Sequence, residues 1–190
     1  SYVIFGHAGS FTANLDLSTT PLDGSNGFKI SGAAAHDWSG YAVSTAGDLN
    51  GDGFADLLIG AQYATRANGS YAGAAYIVFG HGSTAPFGTN GNLDLSSLNG
   101  SNGFKMSTPA SATSVNSVSN AGDVNGDGFG DLIIGAKVHN AQSNTNTPVE
   151  YVVFGHAGAT PFGTNGILDL GPLTGSNGFR ISSSTDASRG

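Results

Sequence analysis

Apolar positions along this chain fall in short runs, each closed by Gly, Asn, Asp or Ser. Tyr41 to Ser44 is built of small residues, Leu57-Leu58-Ile59 is continuously apolar, and Ala74 to Phe79 mixes small, β-branched and aromatic residues. Phe28 to Ser31 alternates apolar with polar. Runs of this length, with turn chemistry at every junction, predict strands. No stretch combines a sustained 3.6-residue period with caps at both ends, so helix is expected to be minor.

The runs recur. Gly24-Ser25-Asn26-Gly27-Phe28 returns unchanged at Gly100 to Phe104 and at Gly175 to Phe179, a step of about 75 residues. Ala46-Gly47-Asp48 returns at Ala121-Gly122-Asp123. Phe5-Gly6-His7, Phe79-Gly80-His81 and Phe154-Gly155-His156 keep the same step, as do Leu15-Asp16-Leu17, Leu93-Asp94-Leu95 and Leu168-Asp169-Leu170. Four strands in each long repeat predict an all-β chain of β-propeller blades, each of four antiparallel strands. About two and a half blades are present: the outer half of one at 1–32, complete blades at 33–107 and 108–182, and a truncated start at 183–190. The innermost strand of a blade has least room, and Ala42 to Gly47 and Ser117 to Gly122 are suitably small.

Each complete blade carries a candidate metal loop. Asp48-Leu49-Asn50-Gly51-Asp52-Gly53-Phe54-Ala55-Asp56 reads D-x-N-x-D-G-x-x-D, and Asp123-Val124-Asn125-Gly126-Asp127-Gly128-Phe129-Gly130-Asp131 repeats it. Side-chain oxygens at positions 1, 3 and 5 converge when the loop curls, and glycine at position 6 permits the turn. The Phe54 and Phe129 carbonyls and the Asp56 and Asp131 carboxylates complete each set. With a water this supplies the roughly six to eight oxygens that Ca²⁺ prefers, whereas Mg²⁺ demands a stricter octahedron. The loop is not an EF-hand, because position 12 is Ile59 or Ile134 where that motif needs a bidentate Glu. Asp, Asn and Gly also build ordinary turns. Two full copies, together holding six of the 13 acidic residues, favour a cation. The expectation is two structural Ca²⁺ sites.

These residues resemble the FG-GAP repeats of the integrin α-chain propeller and their bacterial relatives. Phe79-Gly80 and Phe154-Gly155 match the first half of that name, and Asp56 to Ala61 and Asp131 to Ala136 match the second. The sequence departs at Gln62 and Lys137, where the family has Pro, and in a longer unit, chiefly from Gly82 to Asn92. Pro148 also replaces the Ala expected before the third strand. The resemblance implies a seven-bladed, extracellular or cell-surface, calcium-stabilised propeller used as an adhesion or interaction scaffold. It names no ligand.

Composition narrows the function further. The 190 residues carry a formal charge of -7 and no cysteine, which argues against a nucleic-acid surface and excludes disulfides and thiolate metal sites. No apolar run reaches the ~18 residues of a membrane helix. Glu150 is the only Glu, and no nucleophile elbow, zinc-protease helix or phosphate loop is present. The leading expectation is a non-enzymatic module, with no catalytic or small-molecule cofactor residues. The alternatives are the propeller portion of a secreted enzyme such as a phospholipase, or a component of a surface layer or filament. Because the chain opens at Ser1-Tyr2-Val3 and lacks one inner strand pair, it is expected to be a piece of a longer polypeptide or to be covered by neighbouring chains, with a protein or glycan as ligand.

The repeated His7, His81 and His156 fit a blade-stabilising role better than a chemical one, and Asp16, Asp94 and Asp169 fit turns. Asn68-Gly69-Ser70 and Asn99-Gly100-Ser101 satisfy the glycosylation sequon. Partner contacts are expected where the two blades disagree. His36 to Tyr41, with the only Trp, stands opposite Ser111 to Asn116, and Arg66 to Tyr71 stands opposite Ala141 to Asn146. Trp38 serves either packing between blades or binding, and its solvent access distinguishes them.

Overall fold

The computed structural model describes residues 1–10, 12–65, 71–82, 86–109, 112–140, 144–158 and 161–182. Among the described residues, twelve strands make three sheets. In the first complete blade, β3 (Ser39–Gly47), β4 (Asp56–Ala61), β5 (Ala74–Val78) and β7 (Gly103–Ser107) pair antiparallel in that order. The second blade repeats this with β8 (Ala112–Gly122), β9 (Asp131–Asn140), β10 (Thr145–Val153) and β12 (Gly178–Ser182). At the N-terminus β1 (Tyr2–Ile4) and β2 (Gly27–Ser31) pair antiparallel as the outer half of a blade. The fold is an all-β, partial propeller that does not close.

Each unit also reaches back to its predecessor. Strand β6 (Asn92–Asp94) pairs parallel with β2, and β11 (Ile167–Asp169) pairs parallel with β7. The long segments after Phe79-Gly80-His81 and Phe154-Gly155-His156 thus each add a short strand to the blade before, a use not readable from their sequence. A stack of rings fastens the same junction. His81 stacks on Phe87 at 4.0 Å and Phe87 on Phe28 at 4.4 Å; His156 stacks on Phe162 at 3.9 Å and Phe162 on Phe104 at 4.7 Å. The latter two histidines therefore clamp blades together, as their repetition suggested.

Two apolar layers lie between the blades, and β5 feeds both. Ala74, Tyr76 and Val78 enter the layer with Phe28 and Ile30, while Ala75 and Ile77 enter the layer with Leu132 and Tyr151. A strand buried on both faces must be continuously apolar, which is why Ala74 to Val78 shows no polar alternation. Pro148 lies opposite Lys137 of β9, and the described register of β10 with β12 begins at Val149. Proline brings no N–H to the ladder, and β10 nevertheless begins at Thr145, so the residue that stands in place of the family's Ala lies inside the strand.

Candidate metal centre

Both nonapeptides connect an innermost strand to its neighbour, β3 to β4 and β8 to β9. Their turns depend on glycine: Gly51 and Gly53 have φ of 71° and 88°, Gly126 and Gly128 of 78° and 93°, in the left-handed region that side chains disfavour. The curled backbone lets Asp48 accept from the N–H of Asp52 and Gly53, both at 3.0 Å. Asn50 Oδ1 accepts from Asp52 N at 3.0 Å, and its amide donates to Asp52 Oδ2 at 3.0 Å. Asp52 Oδ1 caps Phe54 N at 2.9 Å.

The second loop reproduces these bonds. Asp123 accepts from Asp127 N at 3.0 Å and Gly128 N at 2.8 Å, Asn125 from Asp127 N at 3.0 Å, and Asp127 from Phe129 N at 2.9 Å. Positions 1, 3 and 5 are therefore brought together in both copies.

Position 9 behaves differently. Asp56 is buried, with Oδ2 on the N–H of Leu49 at 2.9 Å and Oδ1 on that of Gly80 at 2.8 Å. Asp131 does the same with Val124 at 2.7 Å and Gly155 at 2.9 Å. This joins the two halves of the repeated motif: the carboxylate before the apolar β4 or β9 holds the glycine of Phe-Gly. A Cβ on Gly80 would run into the Ala55 carbonyl, so only glycine brings its N–H so close.

Burial pushes the Asp56 carboxyl up to about 6; the Gly80 and Leu49 N–H groups oppose this, and the charges of Asp52 and Asp48 add to it. In the second loop, hydrogen bonds led by that from Gly128 N hold the Asp123 carboxyl below its usual range. The donor set is all oxygen, with three carboxylates in each loop, which suits a hard cation. Among the described residues, however, three His, Cys, Asp or Glu side chains nowhere converge on one metal-sized point. The loop oxygens accept from backbone N–H groups, and Asp56 and Asp131 also tie each loop to the Phe-Gly glycine.

The other candidate residues fall into place as turn formers. Asp16 accepts from Ser18, Asp94 from Ser96 and Asp169 from Gly171. Asn99 of the second sequon accepts from Ser101 N and Oγ. The first sequon, Asn68 to Ser70, and Arg66 lie outside the described residues.

Trp38 is 58 % exposed, so it is not packed between the described blades. It stands 5.3 Å from Tyr63, which stands 6.1 Å from Tyr71. Tyr63 escaped attention in the sequence, although Val138 replaces it in the second copy.

Fold and loops define the class, a segment of β-propeller with acidic, glycine-rich hairpin loops. Comparison with known proteins agrees. The FG-GAP repeat model matches residues 39–78 and 114–148, and the chain carries FG-GAP repeats. Integrin alpha-PS2 of Drosophila melanogaster is 35 % identical over 117 residues, covering 58 % of this chain and 7 % of that protein. Integrin alpha ina-1 of Caenorhabditis elegans is 40 % identical over 57 residues, covering 29 % and 5 %. The chain thus spans under a tenth of either relative's length.

Proposed function

We propose that the chain is a calcium-stabilised, non-enzymatic propeller segment that serves as an extracellular adhesion or interaction module. One observation carries this: two loops 75 residues apart in sequence repeat the same hydrogen bonds at positions 1, 3, 5 and 9. Each would hold one Ca²⁺ through Asp48, Asn50, Asp52, the Phe54 carbonyl and Asp56, or through Asp123, Asn125, Asp127, the Phe129 carbonyl and Asp131. Calcium would neutralise the clustered carboxylates and lock the hairpin that sets β3 against β4. It has no part in any reaction.

The integrin relatives and the FG-GAP repeats support the interaction role and a place outside the cell or at its surface. The partners that cover its open faces are further blades of a longer polypeptide or neighbouring chains; exposed Val124, Phe179 and Ile181 favour such a cover. Binding to the folded form alone raises stability with ligand concentration, by about 2.7 kcal/mol at a hundredfold excess over Kd. The test is melting in EDTA against melting in millimolar calcium. A clearly higher melting temperature in calcium is expected, and coincident curves would refute the proposal.

A further inference from the structure

The geometry points to a binding site for a quaternary ammonium group in an aromatic cage formed by His36, Trp38, Tyr63 and Tyr71. These four residues line a cavity of about 320 Å³. Trp38 and Tyr63 cross at 73°, and Tyr63 and Tyr71 at 70°. Successive rings stand nearly perpendicular, making walls of a box rather than one flat platform. A planar ligand would use a single ring face, whereas a tetrahedral, methylated cation touches several at once. The negative faces of Trp and Tyr attract such a cation, which loses little hydration on entry.

The cage is held open by its own backbone. His36 and Trp38 have φ of 66° and 54°. For a bulky Trp this is a marked outlier that persists only where the surroundings enforce it. Asp37, 3 % exposed between them, supplies the enforcement. Its Oδ1 accepts from Thr65 N at 3.1 Å and Thr65 Oγ1 at 3.2 Å, and its carbonyl accepts from Tyr63 N at 3.1 Å. The formal charge of -7 favours a cation over an anion. None of the four lining residues is Lys or Arg.

Blade architecture does not require these rings. The second copy has Ser111, Thr113, Val138 and Asn146 at the matched positions and completes the same four strands. Trp38 and Tyr71 remain 58 % and 59 % exposed. The cage also lies apart from the metal loop: nine-residue β3 separates Trp38 from Asp48, a span of roughly 30 Å. Failure of this inference would leave the calcium reading untouched, and the reverse holds too.

Trp38 is the only tryptophan, so its fluorescence reports the site directly. The protein in millimolar calcium is titrated with tetramethylammonium chloride, with sodium chloride at matched ionic strength, and with choline and its uncharged isostere 3,3-dimethylbutan-1-ol. A saturable change with the two cations only is expected. Tyr71→Leu, which keeps apolar bulk at an exposed position, should weaken that response about two- to fivefold. No saturable change, an equal response to the neutral alcohol, or unchanged affinity in Tyr71→Leu would overturn the assignment. Phosphatidylcholine vesicles then separate sources: competition with choline identifies a lipid headgroup, and its absence a free small molecule.

Discussion

Leu49 and Val124 hold the same position in the two loops, yet Leu49 is fully buried while Val124 is 53 % exposed. The second blade makes the difference. Its His156 N–H donates to the Leu49 carbonyl at 3.0 Å, and Gly130 N–H to the Asp48 carbonyl at 3.1 Å. The outer strands repeat the contrast, with Phe104 and Met106 fully buried but Phe179 and Ile181 40 % and 46 % exposed. Identical positions thus have different energetic weight according to whether a following blade covers them. Leu49→Ala should cost about 2–5 kcal/mol by urea denaturation, against under about 0.5 kcal/mol for Val124→Ala. Equal costs would mean that the described blade interface is wrong.

Glycine in the Phe-Gly pair has a test of its own. A Cβ at residue 155 would meet the carbonyls of both Gly130 and Leu49. Gly155→Ala should therefore displace the N–H that holds Asp131 and separate the blades. An outright loss of cooperative unfolding, or a cost above about 3 kcal/mol, is expected, far beyond the usual effect of a single substitution. Wild-type stability in this variant would contradict the Asp131–Gly155 link.

Repetition made much of this legible in advance. Strands β3, β4, β5 and β7, and the hairpin loop that joins β3 to β4, could be read because each recurs in a second copy. The parallel strand Asn92–Asp94 could not: three residues carry no periodicity, and the partner, Lys29–Ser31, belongs to another blade. The hold of Asp56 on the Gly80 N–H was equally hidden, since the two stand 24 residues apart in the sequence. Tyr63 was missed because only segments with several consecutive differences between the copies drew attention.

Among the described residues, the buried hydroxyls of Tyr76 and Tyr151 have no hydrogen-bond partner. Burial raises the pKa of both phenols, so each stays neutral. Removing a buried, unpaired hydroxyl while keeping the ring relieves a desolvation cost. Tyr76→Phe and Tyr151→Phe should each be neutral or stabilising, by up to about 1 kcal/mol. A loss of comparable size in chemical denaturation would reveal a hydrogen bond to these groups.

The ring stack at the blade junction should be separable from simple volume. Phe162 is 4 % exposed between His156 and Phe104. Phe162→Ala should cost about 3–5 kcal/mol, and Phe162→Leu markedly less, the remainder including the ~0.5–1.5 kcal/mol of an aromatic pair. Thermal melting of both variants measures the split. If Leu and Ala are equally damaging, stacking geometry rather than filled volume governs the junction.

The central claim is that both hairpin loops take up calcium, and a direct count decides it. Isothermal titration calorimetry of the metal-stripped chain with calcium chloride should show binding at two sites per chain. Asp48→Ala with Asp123→Ala serves as the blank, since both substitutions fall on exposed or half-buried loop positions. No heat of binding in the wild-type chain, under conditions where it remains folded, would contradict the account.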